Sequence, residues 1–197
     1  FNDVEWVNDE GQSETVTSFS QVVPVIDDDK ITWEDIATGW DVDVQASTKR
    51  LSKWIHIDSL ANLGAPTIGG TNIRLRFSFT WQKSGALEVW VDGVQWDEKN
   101  NTWVETSGDI EFRDEISQEA AFWFENPHGH DSADPDKNIA PMSQRVRRTG
   151  NNFYSEIETP WSWLQSAVFP IHLDDTVNPA VAASADDADE NIALAVN

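Results

Sequence analysis

Apolar and polar residues alternate along most of this chain. In "NIRLRFSFTW", Ile73, Leu75, Phe77, Phe79 and Trp81 fall on one face and Arg74, Arg76, Ser78 and Thr80 on the other. That period of two predicts a half-buried strand. After "QKSG", Leu87, Val89 and Val91 alternate with Glu88, Trp90 and Asp92, at a spacing that fits a hairpin. "VDGVQW" then supplies an Asp-Gly turn into another extended piece. "NTWVET", "DIEFRDEI" and "AAFWFEN" add three short apolar segments, and "TSFSQVVPVI", "GWDVDVQA" and "KWIHIDSL" read the same way upstream. In "KWIHIDSL" the inward set is Trp54, His56 and Asp58 or else Ile55, Ile57 and Ser59, and the second is favoured.

Helical signals are sparse. "ITWEDIATGW" fits one turn or a short helix, with Thr32 as the N-cap. "TPWSWLQSA" is stronger, with Thr159 as N-cap and Pro160 in the first turn. Trp161 and Leu164 then lie on one side. No internal repeat of 20–50 residues is present. Many short strands with regular turn signals predict an all-β fold, a two-sheet antiparallel β-sandwich of jelly-roll type with one or two helical turns. "AVFPIHLDD" reads as the last strand, Phe169, Ile171 and Leu173 facing inward and Pro170 marking an edge or a strand start. The expected division is a sandwich over residues 1–176 and an extended acidic linker or tail over 177–197, whose Val177 and Val181 could pair with a sheet edge on another molecule.

Composition sharpens this picture. The 197 residues are 39% apolar and 11% aromatic, with 11 Trp and a single Tyr, too much large apolar surface for a disordered chain. No run reaches the roughly 18 apolar residues of a membrane span, so a soluble chain without a membrane partner is expected. The first residue is Phe1 and no apolar leader follows, which reads as a processed chain or a piece of a longer one. Thirty-five carboxylates against 13 Lys and Arg leave a net charge of −22, which argues against nucleic acid and anionic membrane as partners and suits a salty or extracellular setting. Cysteine is absent, which excludes disulfides, thiolate metal sites and a Cys nucleophile.

Several constellations carry candidate chemistry. "NPHGHDSADPDKN" places His128 and His130 two apart, followed by Asp131, Asp134 and Asp136. On a strand the two histidines would share a face, as zinc or nickel requires, and the aspartates suit calcium. The loop lacks the Asp-x-Asp-x-Asp-Gly order of a calcium loop, and a solvated loop is the plainer reading. "IDDDKITWED" clusters Asp27, Asp28, Asp29, Glu34 and Asp35. An acid pair of that kind could hydrolyse glycosides, but neighbours in sequence do not give the opposed geometry the reaction needs. Trp81, Trp123 and Trp163 fit the core by pattern, whereas Trp90, Trp96 and Trp103 fall out of phase or near turns and are the candidates for stacking on a glycan, with core or subunit-interface packing as the favoured use. Arg145, Arg147 and Arg148 in "SQRVRRTG" are expected to pair with acidic groups, within the fold or across subunits. No Gly-x-Ser-x-Gly elbow, phosphate-binding Gly-rich loop or His-Glu-x-x-His occurs, so the expectation is a protein that is not an enzyme.

"FWFENPHGHDS", and then "NNFYSEIETPWSWLQSAVFPIHLDDTVNPAVAASADDADE", carry a resemblance. The close "FPIHLDDTV" and the small-residue acidic linker after it resemble the "YPVxIDPTV" and "ASxDDAxE" pattern of β-sandwich modules in large phage virion proteins and secreted bacterial surface proteins. "LEVWVDGVQWD" looks like the hairpin such modules carry earlier. The likeness spans about residues 85–190. This chain departs from the pattern at Asp175, where a Pro is usual, and in the loop "NPHGHDS", which is usually aromatic. The resemblance implies a non-enzymatic extracellular structural protein, first of all a virion fibre, decoration or tail component. It would associate with itself or with other virion or surface proteins. A cell-surface filament subunit and a carbohydrate-binding module are the alternatives. The resemblance implies no catalytic residue. No cofactor is expected, calcium at the loop of Asp131, Asp134 and Asp136 being the first candidate ion.

Overall fold

In a computed structural model, which describes residues 4–47, 50–81, 87–98, 101–134, 138–174 and 177–179, the chain is built almost entirely of antiparallel strands. Two sheets form. The smaller is ordered β10 (Val104–Thr106), β14 (Ser143–Thr149), β15 (Asn152–Pro160), β7 (Arg74–Trp81), β1 (Val4–Val7), β2 (Ser13–Thr17). The larger begins with the meander β3 (Val25–Asp27), β4 (Lys30–Ala37), β5 (Trp40–Ser47), β6 (Arg50–Ile57). From β6 it continues through β17 (Val177–Pro179), β12 (Ala120–Phe124), β11 (Ile110–Asp114) and β8 (Leu87–Val91) to β9 (Val94–Gln95). A side branch adds β16 (Ile171–Asp174) to the far half of β6 and β13 (His128–Asp131) to β16. The sandwich-like, all-β expectation holds.

The core lies between the sheets. Alternation sends Trp40, Val42, Ile55, Ile57, Ile171 and Leu173 inward from the large sheet, against Val4, Trp6, Leu75, Phe77 and Ile157 from the small one. Ile55 and Ile57 are therefore the inward set of their strand, and Trp54 and His56 face out. A second cluster joins Val89, Val91, Ile110 and Phe112 to Val146 and Phe153. There the ring of Trp81 stacks on Phe153 with centroids 4.4 Å apart and meets Phe112 edge-on at 5.0 Å. Fully burying an aliphatic or Phe side chain contributes about 1.5–3 kcal/mol, so these two layers dominate the energetics.

Local structure departs from expectation at four places. "ITWEDIATGW" is not a helix: residues 30–37 form β4, because Ile31 and Trp33 pair across to Val44 and Val42 on β5. A bulge carrying Asp35 at φ 51 separates that pairing from Ala37. The chain turns back at Thr38–Gly39, where Gly39 takes φ 70 and a Cβ would meet the Asn62 side chain at 2.7 Å. Thr159 is not a cap either; it is buried at the end of β15, and Pro160 holds the N-cap position of α2 (Trp161–Leu164). A second short helix, α1 (Leu60–Leu63), follows β6. Trp123 is not core, since Phe122 and Phe124 take the inward positions of β12 and Trp123 faces outward across from Glu111. Finally, pairing within the chain runs past 176: Val177 lies opposite Phe124 of β12 and Leu51 of β6.

Candidate functional site

The chain has four histidines, far apart in sequence, and the fold brings all of them to the outer face of the large sheet. Three lie in one cross-strand row. His130 of β13 is opposite His172 of β16, which is opposite His56 of β6, which is opposite Asp41 of β5. The next row on the same face reads His128, Asp174, Trp54, Asp43. Two-residue alternation with antiparallel register produces this automatically, because directly opposed residues share a face.

The contacts are specific. The Nδ1 atoms of His56 and His172 meet directly. On its other side His56 Nε2 lies 2.9 Å from Asp43 Oδ2. Asp43 also accepts from Thr32 Oγ1 at 2.7 Å and pairs with Lys30 Nζ at 2.8 Å. Burial pushes the Asp43 carboxyl upward, but Lys30, Thr32 and His56 outweigh it and hold the group below the usual range. The His130 and His172 rings lie 4.9 Å apart, and Trp54 meets His128 and His130 edge-on at 5.6 and 5.7 Å. His128 Nε2 stands 3.4 Å from the fully buried Asp174. Burial, reinforced by His56 and His130 and opposed by Asp43, pushes His172 down to about 4. Its ring is neutral at neutral pH.

The expected metal loop separates into two parts. His128 and His130 do share a face, as a strand requires. Asp131 points to the other side, where it is fully buried and accepts from the backbone N–H groups of Val168 at 2.8 Å and Ala133 at 3.0 Å, and from the Asn138 side-chain amide. The Val168 N–H first, then those of Ala133 and Asp134 and the Asn138 amide, hold its carboxyl below the usual range against the cost of burial. Its oxygens organise the loop. Asp134 is half-buried, with an N–H reaching toward Asp131 at 3.4 Å, and Asp136 lies outside the described residues. Among the described residues no three His, Asp or Glu side chains converge as they stand on one metal position.

The three tryptophans considered for glycans are not brought together. Trp90 lies on the outer face of the large sheet beneath the Arg113 guanidinium, 4.2 Å from the ring centroid. Trp103 lies on the outer face of the small sheet between Arg145 at 4.4 Å and Arg147 at 4.8 Å. Trp96 packs against the second core cluster, 6.5 Å from Phe153. Of the arginines, Arg145 pairs with Glu156 at 2.5 Å and Arg148 with Glu98 at 3.0 Å, while Arg147 also covers Tyr154. The Arg145 pair extends into an alternating chain, Glu156–Arg76–Glu158–Arg74–Asp9, with contacts of 2.5–3.1 Å. The open polar groove beside Asn8, Gln12 and these arginines is therefore already neutralised from within the chain. Val177 is in β17, and Val181 lies outside the described residues. The acids Asp27, Asp28 and Asp29 sit at the β3–β4 hairpin, with Glu34 and Asp35 exposed along the same edge; Asp29 bonds Gln45 at 3.3 Å.

Sequence reasoning missed His56, His172 and Asp43. His56 and His172 sit at outward positions of strands whose inward residues were correctly read, and Asp43 lies on a segment read only as extended, so pairing those strands would have exposed the cluster. Comparison with family models, with curated proteins and with solved structures gives no match to this chain.

Proposed function

We propose that this chain is a non-enzymatic extracellular structural module, a virion component such as a fibre, decoration or tail protein, that assembles through sheet edges. The observation that carries this reading is the terminal strand of the large sheet. β3 is exposed along its length, with Val25 53% and Ile26 69% accessible, and Val23 just before it is 90% accessible. An exposed apolar edge is a template for pairing with another chain, and soluble proteins ordinarily blunt it. Here the blunting is confined to one end, at Asp27, Asp28, Asp29 and Lys30 of the hairpin. The outer faces, by contrast, are occupied by internal Arg–Glu and Arg–Trp contacts.

A carbohydrate-binding reading has one observation of its own: Trp90 and Trp123 flank Glu111 in a single cross-strand row on the outer face. Electron micrographs of the purified chain over a range of concentrations test the structural reading. Filaments or closed particles are expected; isolated monomers throughout would contradict it. Glycan-array binding lost on Trp90→Ala would favour the second reading, and an array without signal would remove it.

A further inference from the structure

The histidine row on the large sheet takes no part in the edge contacts, and its hydrogen bonds accept one proton fewer than its rings can carry. His56 Nε2 faces the Asp43 carboxylate at 2.9 Å, and that carboxylate is itself held by Thr32 and Lys30. An ionised carboxylate only accepts, so Nε2 carries a proton and donates it, and Nδ1 of the neutral ring bears the lone pair. Nδ1 of His172 meets that lone pair directly. A contact between two imidazole nitrogens needs one proton and one lone pair. His172 therefore supplies the proton, and the donors run from His172 to His56 to Asp43.

Acid changes this arrangement in two steps. A proton arriving at His56 makes an imidazolium with two donors. Its Nε2–H stays on Asp43, its Nδ1–H turns toward His172, and the His172 proton is relocated to Nε2 of that ring. The contact survives with its polarity reversed, and the cation lies opposite Asp41 and beside Asp43. A second proton, on His172, sets two N–H groups and two positive charges against each other. The surroundings of His172 offer no relief. His130 lies 4.9 Å away on its other side, and Asp174, two residues along the strand, faces His128 at 3.4 Å. Lys30 is engaged with Asp43, and Asp58, just past the end of β6, is exposed to water. Among the described residues no carboxylate pairs with His172.

We propose that the His56–His172 contact is an acid-sensitive latch on the outer face of the large sheet, which holds one proton between the two Nδ1 atoms and opens when a second arrives. Opening turns the His172 ring away from β6 and leaves a cationic row of histidines on a face bordered by Asp41, Asp43 and Asp58. The backbone ladder is retained, because Ile55, Ile57, Ile171 and Leu173 fix both strands from the buried side. All three rings of the row are half-exposed, so protons reach them from solvent. Burial, then His56 and His130, hold His172 at about 4, below the ordinary 6.5. The unfolded chain takes up that proton first, so this contribution to stability is intact above 6.5 and is lost as the pH falls toward 4.

The test is an imidazole proton and nitrogen NMR titration of the whole 197-residue chain, from about pH 8 to about pH 3.5. At the alkaline end the protonated nitrogens should be Nε2 of His56 and Nδ1 of His172. His56 should titrate first, with the Overhauser contact between the two rings kept. His172 should titrate last, well below 6.5, and the contact should vanish with that step. In His56→Gln the His172 titration should move up toward 6.5. In Asp43→Asn the first proton should enter at lower pH, because the imidazolium has lost its counter-charge. The denaturant midpoint of folded His172→Gln should fall less than that of the parent between 6.5 and 4. The parent titration needs no variant, so a misfolded mutant leaves the test intact. Titration of both rings together near 6.5, a ring contact that persists after both are protonated, or equal pH dependence in parent and folded His172→Gln would each overturn the proposal.

Discussion

Gly129 sits between two outward histidines and is itself buried. A Cβ there would meet the Leu173 side chain at 2.6 Å and the His172 carbonyl oxygen at 2.9 Å. The close approach of β13 to β16, which sets the spacing of His130 and His172, depends on that missing atom. Gly129→Ala should destabilise the fold by about 1–3 kcal/mol through overpacking, read as a lower denaturant midpoint with an unchanged slope. A variant as stable as the parent would show that the two strands do not meet as described. The sequence offered this glycine only as part of a polar loop. The register partner that makes it necessary lies more than 40 residues away, on a strand read from its apolar face alone. The histidine cluster was hidden for the same reason. His128 and His130 were visible as a pair, but His56 and His172 join them only through two strand pairings that no local pattern specifies.

At the scale of elements, the β1–β2 hairpin is clamped to the 64–73 connection by carboxylates. Glu14 accepts from the Thr67 hydroxyl and from its backbone N–H at 2.6 Å. Glu10 accepts from the Thr71 N–H at 3.1 Å, and Asp9 takes Arg74 at 2.6 Å and Asn72 at 2.5 Å. These bonds hold all three carboxyls below their usual values, 4.5 for Glu and 3.8 for Asp, with Thr67, Thr71 and Arg74 as the respective leading causes. A depressed folded-state value means the stabilisation is present above the unfolded value and is lost as the pH falls through the folded one. The groups are solvent-exposed, so the effect is local. Amide protection at Thr67 and Thr71 should persist at pH 5 and fall below about pH 4, while the core strands stay protected. Protection unchanged down to pH 3 would contradict the clamp. Strand identity was legible where large apolar residues alternate with polar ones over several positions, as in β7 and β8, and not in β13 or β14, where the polar residues dominate. It failed in β4, where Trp33 and Ile36 sit three apart as on a helix, because the bulge before Ala37 resets the alternation. A bulge adds one residue and leaves no mark on composition.

For the whole molecule, two packed layers were readable from periodicity and aromatic content. The division of the core into two clusters and the branching of the large sheet at β6 were not. Both depend on which strands pair, and a period of two is silent about partners. The assembly reading depends on the same step, for β3 becomes an edge only once β4 is known to be paired on its other side by β5. Val25 and Ile26 make little contact within the chain, so replacing them should change monomer stability by no more than about 0.5 kcal/mol. A charged pair there would nonetheless block strand addition. Sedimentation velocity of the parent chain beside the Val25→Lys/Ile26→Lys double variant is therefore the most direct test. Concentration-dependent large species are expected in the parent and a folded monomer in the variant. A parent that sediments as a monomer at every concentration, or a variant that assembles as the parent does, would contradict edge assembly.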